Sequence, residues 1–182
     1  MSRQFRQFNG HYENIDMQYS YFGKYYLFVG TDKERMAMGR NLIIFCAVSI
    51  ALCIFSGLTL AGRMSAMWYV VVPYVVEVLM TAWLTWYTVK LIRDGNKIKE
   101  PTKKKVVPLL PIIGLILGIM AIWGLVCVIE ILTVYGDEGM PGYSYCYLIA
   151  KVIMAALGIF IFIYQRRFKW VEEKLPDEEW AE

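Results

Sequence analysis

Histidine is almost absent from this chain: His11 is the only one in 182 residues, and it lies in the polar N-terminal segment. That scarcity removes bis-histidine haem ligation and most histidine general-base schemes. The four cysteines, Cys46, Cys53, Cys127 and Cys146, form no C-x-x-C pair and have no histidines beside them, so neither a zinc site nor a disulfide framework is indicated. Cys46 and Cys53 stand two helical turns apart, beyond the roughly 7 Å reach of a disulfide. No G-x-S-x-G or P-loop sequence occurs, and the apolar stretches hold no pair of aspartates for intramembrane proteolysis. The expectation is a protein that is not an enzyme, has no cofactor or metal, and has no nucleic-acid partner. Internal repeats are also missing, which counts against an inverted-repeat transporter.

What the chain has instead is length in oil. Residues 42–62, 67–89, 106–136 and 145–165 each reach or exceed the roughly 20 apolar residues that a helix needs to cross a bilayer. With 58% apolar residues in so short a chain, little remains for a soluble domain with its own core. The sequence therefore predicts an all-α fold, an integral membrane four-helix antiparallel bundle over 41–165. It is preceded by an aromatic-rich cytoplasmic or interfacial segment, 1–40, and followed by an acidic cytoplasmic tail, 166–182. The polar residues ahead of the first apolar stretch place it too far from the N-terminus for a secretory leader, so it is read as a permanent span.

Charge supplies the orientation. Of 19 Lys and Arg residues, 17 fall on one side of the membrane if the N-terminus is cytoplasmic, against Arg63 alone on the other, where Asp137 and Glu138 also lie. The positive-inside rule then puts both termini in the cytoplasm, most simply at the cell membrane, and weighs against insertion both ways up.

Local signals refine this outline. Phe5, Phe8, Tyr12, Tyr19, Tyr21, Phe22, Tyr25, Tyr26 and Phe28 make residues 1–30 too aromatic for a disordered tail, so this segment should pack on the membrane surface or under the bundle. Thr31 and Glu34 have the spacing of a capping box, which predicts a helix starting there and running into the first span. Cys46, Ser49, Cys53 and Ser56 put a stripe of small residues on one face of that span, a packing seam. In the second span Pro73 predicts a kink just outside Glu77, while Thr81, Thr85 and Thr88 extend a polar face toward the cytoplasmic end. Trp83, Trp86 and Tyr87 suit an inner aromatic belt, and Tyr143, Tyr145 and Tyr147 an outer one.

The segment from Arg93 to Lys105 reads as a loop, with a turn at Asp94-Gly95-Asn96, a Pro at 101, and six basic residues that would favour anionic lipid headgroups. Pro108 and Pro111 are tolerable near a helix start. Gly114 and Gly118, a G-x-x-x-G pair, allow close packing in span three, as do Ala155, Ala156 and Gly158 in span four. The acidic tail from Glu172 to Glu182, broken by Pro176, is read as a short interfacial helix that ends in solvent.

Three ionisable residues fall within the spans: Glu77, Glu130 and Lys151. Each costs about 2.5–3.5 kcal/mol at mid-membrane unless it is paired, neutralised or in contact with water, so these are the candidate site residues. Glu130 and Lys151 each lie about ten residues from the turn joining spans three and four, which puts them at matching depth and predicts an ion pair. Glu77 is then either protonated or hydrogen-bonded to a Thr or Tyr, or it lines a polar cavity with Thr81, Thr85, Glu130 and Lys151.

The first arrangement fits a protein that acts through partners, as an accessory, regulatory or assembly subunit, with membrane lipids and another membrane protein or a second copy as its contacts. The second fits a small proton- or cation-coupled transporter or channel subunit acting on an ion or small polar solute, with Glu77 as its switch.

Overall fold

A computed structural model describes residues 12–15, 18–21, 24–59, 67–95, 97–135 and 144–173. Four helices dominate it: α1 (Asp32–Thr59), α2 (Trp68–Arg93), α3 (Glu100–Tyr135) and α4 (Ser144–Gln165). All four are long and apolar enough to cross a membrane. The connections at 60–66 and 136–143, with Tyr143 and the tail beyond Glu173, lie outside the described residues.

Each helix packs against two others. α1 lies against α2 and α4, and α3 lies against the same two, so α2 and α4 face each other across the bundle. Along α3, Val106, Leu110, Ile113, Leu117, Ala121, Val128 and Ile131 turn inward at spacings close to the helical period. Ile112, Ile119, Trp123 and Val126 point outward. This is the surface expected of a helix whose outer face meets lipid rather than water.

α1 starts where its cap predicts. The Thr31 amide donates to Glu34 Oε2 at 2.9 Å and the Glu34 amide to Thr31 Oγ1 at 3.3 Å, so both arms of the capping box are made. α2 continues without interruption through a buried Pro73. It ends at Asp94, with the Gly95 amide bonded to the Ile92 carbonyl and Gly95 at φ +70°, a conformation that favours glycine.

α3 and α4 meet backbone to backbone. A Cβ added at Gly158 would lie 2.5 Å from the Gly118 nitrogen and 2.7 Å from the Gly114 carbonyl oxygen. The three glycines thus let the two backbones come into contact.

The segments flanking the helices depart from the sequence expectation. β1 (Tyr12–Ile15) and β2 (Gln18–Tyr21) pair as an antiparallel hairpin. β3 (Tyr25–Phe28), β4 (Lys97–Lys99) and β5 (Trp170–Glu172) form a second antiparallel sheet with β3 in the centre. The loop expected over 93–105 is therefore a turn, a strand and the first turns of α3, in which Pro101 sits near the N-terminal end, where a missing N–H costs nothing. Glu172, where the acidic tail expected as an interfacial helix begins, is the last residue of β5. Helix propensity at these positions yields to pairing with β3, which alternates its side chains between solvent and the bundle.

Tyr26 and Ile98 are buried in one cluster with Leu42, Leu84, Val106 and Ile161, so the sheet closes one end of the helical core. Phe28 packs on Phe168 and Trp170, at ring-centroid distances of 5.7 and 5.3 Å. Of the two placements expected for the aromatic N-terminal segment, β3 takes the one under the bundle.

Candidate functional site: an ion pair across the bundle

Glu77 and Lys151 are both fully buried, at 0% exposure. Lys151 Nζ donates to Glu77 Oε2 at 2.5 Å. Because α2 and α4 stand on opposite sides of the bundle, this contact passes through its centre rather than along a helix seam. All four helices shape the surroundings. α2 contributes Tyr74, one turn before Glu77, and its hydroxyl donates to the Cys53 carbonyl of α1 at 3.3 Å. α4 contributes Tyr147, one turn before Lys151. The ammonium lies 4.8 Å from the centroid of the Tyr147 ring and 5.5 Å from that of Tyr74, within cation–π range of both.

α3 contributes Gly124, which lies beside the pair: a Cβ there would sit 3.4 Å from the Lys151 stem and 3.5 Å from the Tyr147 hydroxyl, ordinary van der Waals contact.

Apolar layers enclose the pair along the bundle axis. On one side Val70, Val128 and Ile131 pack together with Tyr147; on the other, Cys53, Ala121, Met154 and Ala155 form a second cluster. In such surroundings an unpaired charge would be costly, and a carboxylate and ammonium in hydrogen-bond contact neutralise each other. Glu77 Oε1 and the Tyr147 hydroxyl are buried without a hydrogen-bond partner, as are Ser49 Oγ and Ser56 Oγ on α1.

The pairing expected between Glu130 and Lys151 is corrected: the partner of Lys151 is Glu77. Glu130 is on the exposed side of α3, near the end of that helix. Position along a helix does not decide which way a side chain points. The inward residues of α3 at this level are Cys127, Val128 and Ile131, and Glu130 is about 100° round the helix from Ile131. Glu77, two turns or so from the start of its own helix, is both at reachable depth and on the inner face.

The threonines divide in a similar way. Thr81 is buried, with its hydroxyl 3.4 Å from Cys53 Sγ, and Thr88 accepts from Cys46 Sγ at the same distance. Thr85 is half-buried and donates back to the Thr81 carbonyl at 2.9 Å. The polar face of α2 thus meets the Cys46, Ser49, Cys53, Ser56 face of α1, which is buried throughout as the seam expectation requires. Thr81 neighbours the ion pair through Cys53; Thr85 is a turn further away.

Sequence reasoning missed Tyr74 and Gly124, and it placed Tyr147 in an outer aromatic belt. Tyr147 is buried, whereas Tyr145 is exposed. The usable signal was spacing: Tyr74 is three residues before Glu77, and Tyr147 four before Lys151, so each tyrosine shares a helix face with a charge. Among the described residues no group of three His, Cys, Asp or Glu side chains gathers to hold a metal ion.

Compared with known protein families, curated proteins and solved structures, the chain has no match.

Proposed function

We propose that this is a multi-pass protein of the cell membrane, an antiparallel bundle of four spans with both termini cytoplasmic. On this reading it acts through partners, as an accessory, regulatory or assembly subunit, and not as an enzyme. The observation that carries it is the fully buried Glu77–Lys151 contact between apolar layers. Two of the three intramembrane charges are used to hold opposite helices together, which suits a scaffold better than a conduit. The shared sheet supports the topology, since segments before α1, after α2 and after α4 pair side by side and so lie at one end. Described basic residues in and around the sheet, among them Lys24, Lys97, Lys99, Arg166 and Lys169, lie at that end, as on a cytoplasmic face.

The test is flux and co-purification in parallel. Glu77→Gln should leave proton, cation and solute flux in liposomes at the empty-vesicle level, as in the unmodified protein, while a membrane partner still co-purifies with it. The second reading, a small proton- or cation-coupled transporter or channel subunit, draws on the buried, unpartnered Glu77 Oε1 and Tyr147 hydroxyl. A pH-dependent flux that Glu77→Gln abolishes would replace the first reading with this one.

A further inference from the structure

Three cavities line up on the outer side of the seam between α1 and α2. The one nearest the sheet, about 450 Å³, is lined by Arg35, Arg40, Ile43, Leu91 and Ile92 among others. The next, about 400 Å³, shares Ile43 and Ile92 with it and adds Cys46, Thr88 and Arg93. The third, about 540 Å³, shares Thr85 and Val89 with the second and continues past Ala82 to Cys53 and Tyr74. Shared walls make the three one groove. Its rim residues Ile43, Ile54, Val78, Trp86 and Val89 are exposed, so it faces away from the bundle core.

We propose that this groove seats a phospholipid with an anionic headgroup, from the leaflet on the sheet side, its phosphate held by Arg35, Arg40 and Arg93 and one acyl chain lying along α2. The proposal rests on the four-span reading above. Three features select this occupant. First, the groove is apolar along its length and basic only at one end, the polarity pattern of a lipid standing in a leaflet. Second, the arginines are available. Among the described residues neither Arg40 nor Arg93 has an ion-pair partner, and Arg35 Nε is buried without a hydrogen-bond partner. Planar guanidinium groups suit phosphate oxygens in paired hydrogen bonds.

The basic residues that the sequence offers for headgroups in the 93–105 segment are partly used elsewhere. Lys97 pairs with Glu173, Lys104 with Glu100, and Lys103 lies over the Tyr26 ring at 3.7 Å. The acidic groups near the groove end are Asp32, which faces Arg35, and Asp94, next in the chain to Arg93, with its Oδ2 buried and unpartnered; Lys33 and Lys90 lie one and four residues from them in the chain. Third, the length suffices. One leaflet contributes about half of the roughly 30 Å hydrocarbon core, and from Ile92 that distance along α2 reaches about ten residues, to Ala82; the groove runs on beyond it to Tyr74. Small side chains at Ala82 and Thr85 leave the path open there.

Full-length protein extracted in detergent and titrated with phosphatidylglycerol or phosphatidylcholine of identical chains, read by native mass spectrometry, tests this. Phosphatidylglycerol should be retained more tightly, and Arg40→Gln with Arg93→Gln should weaken it about fivefold per arginine, the effect of one charge near a membrane surface, while leaving phosphatidylcholine unchanged. Ala82→Trp, at an exposed position, should weaken both lipids by blocking the chain path. Arg166→Gln with Arg167→Gln, on the same side but away from the groove, should change neither.

Equal retention of the two lipids would overturn the proposal. So would an Arg166/Arg167 effect as large as that of Arg40 and Arg93, or a dimer that Ala82→Trp dissociates, since a second copy would then fill the groove. Failure of the four-span reading would be seen separately, as protein released from membranes by carbonate without detergent.

Discussion

Replacing Lys151 by Met keeps an unbranched stem of similar length and removes only the ammonium, which makes it the sharpest probe of the ion pair. The Glu77 carboxyl would then be left at 0% exposure between apolar layers, with neither oxygen bonded to a side chain. Breaking a buried pair from one side costs about 3–5 kcal/mol when the remaining charge cannot escape. A carboxyl in a membrane can escape by taking up a proton, so the lower end, about 3 kcal/mol, is expected. Glu77→Leu strands the ammonium instead and should cost at least as much, because the two tyrosine rings replace only part of the carboxylate's attraction.

The double variant Glu77→Leu/Lys151→Met removes both charges and should recover most of the loss, ending near the parent or above it. Equilibrium unfolding in mixed micelles by a denaturing detergent gives all four corners of the cycle. A coupling energy of about 2 kcal/mol or more separates this pair from ordinary interhelical hydrogen bonds in membranes, which average about 0.6 kcal/mol. Single variants within about 0.5 kcal/mol of the parent, or a double variant equal to the sum of the singles, would refute the reasoning.

Two further expectations concern packing. Gly158→Ala places a methyl group within 2.8 Å of backbone atoms of Gly114 and Gly118, so α3 and α4 must separate; thermal unfolding in detergent should show a loss of about 1–3 kcal/mol, whereas Gly39→Ala, inside α1 with its nearest neighbour 3.9 Å away, should cost nothing and stabilise by up to about 1 kcal/mol. Ile98→Ala at the sheet-to-bundle contact, where Ile98 is 0% exposed, should cost about 2–5 kcal/mol and speed amide exchange in Tyr25–Phe28, with the amides near Glu77 less affected.

The helices were legible because each contains an apolar run long enough to cross a membrane, a signal that stands out in a short chain. The spans read over 67–89 and 145–165 lie within a few residues of α2 and α4, and the capping box at Thr31 and Glu34 sets the start of α1 well before its apolar run. Glycine and cysteine stripes were equally readable, since a small side chain on one helix face has few uses in a membrane besides close approach. The sheet was not legible. Its strands are three or four residues long, separated by whole spans, and β3 finds both partners only after the bundle brings residues 97–99 and 170–172 beside it. No local pattern of so few residues distinguishes such a strand from a turn or an interfacial helix.

The partner of Lys151 shows the same boundary at the level of one side chain. Sequence spacing measures how far a residue lies along its helix, and by that measure Glu130 and Glu77 were both within reach. Which of them faces the lysine depends on rotation about the helix axis, and the apolar residues around each acid carry that information. Cys127, Val128 and Ile131 define an inner face of α3 that excludes Glu130, while Val70, Pro73, Thr81 and Leu84 define a face of α2 that includes Glu77. A charge on the buried stripe of its own helix is neutralised by a proton or by a counterion inside the bundle, and the opposite charge on another buried stripe is the natural partner. That Lys151 lies on the stripe of Tyr147, Met154 and Ile161 makes the diagonal contact the arrangement that strands neither charge.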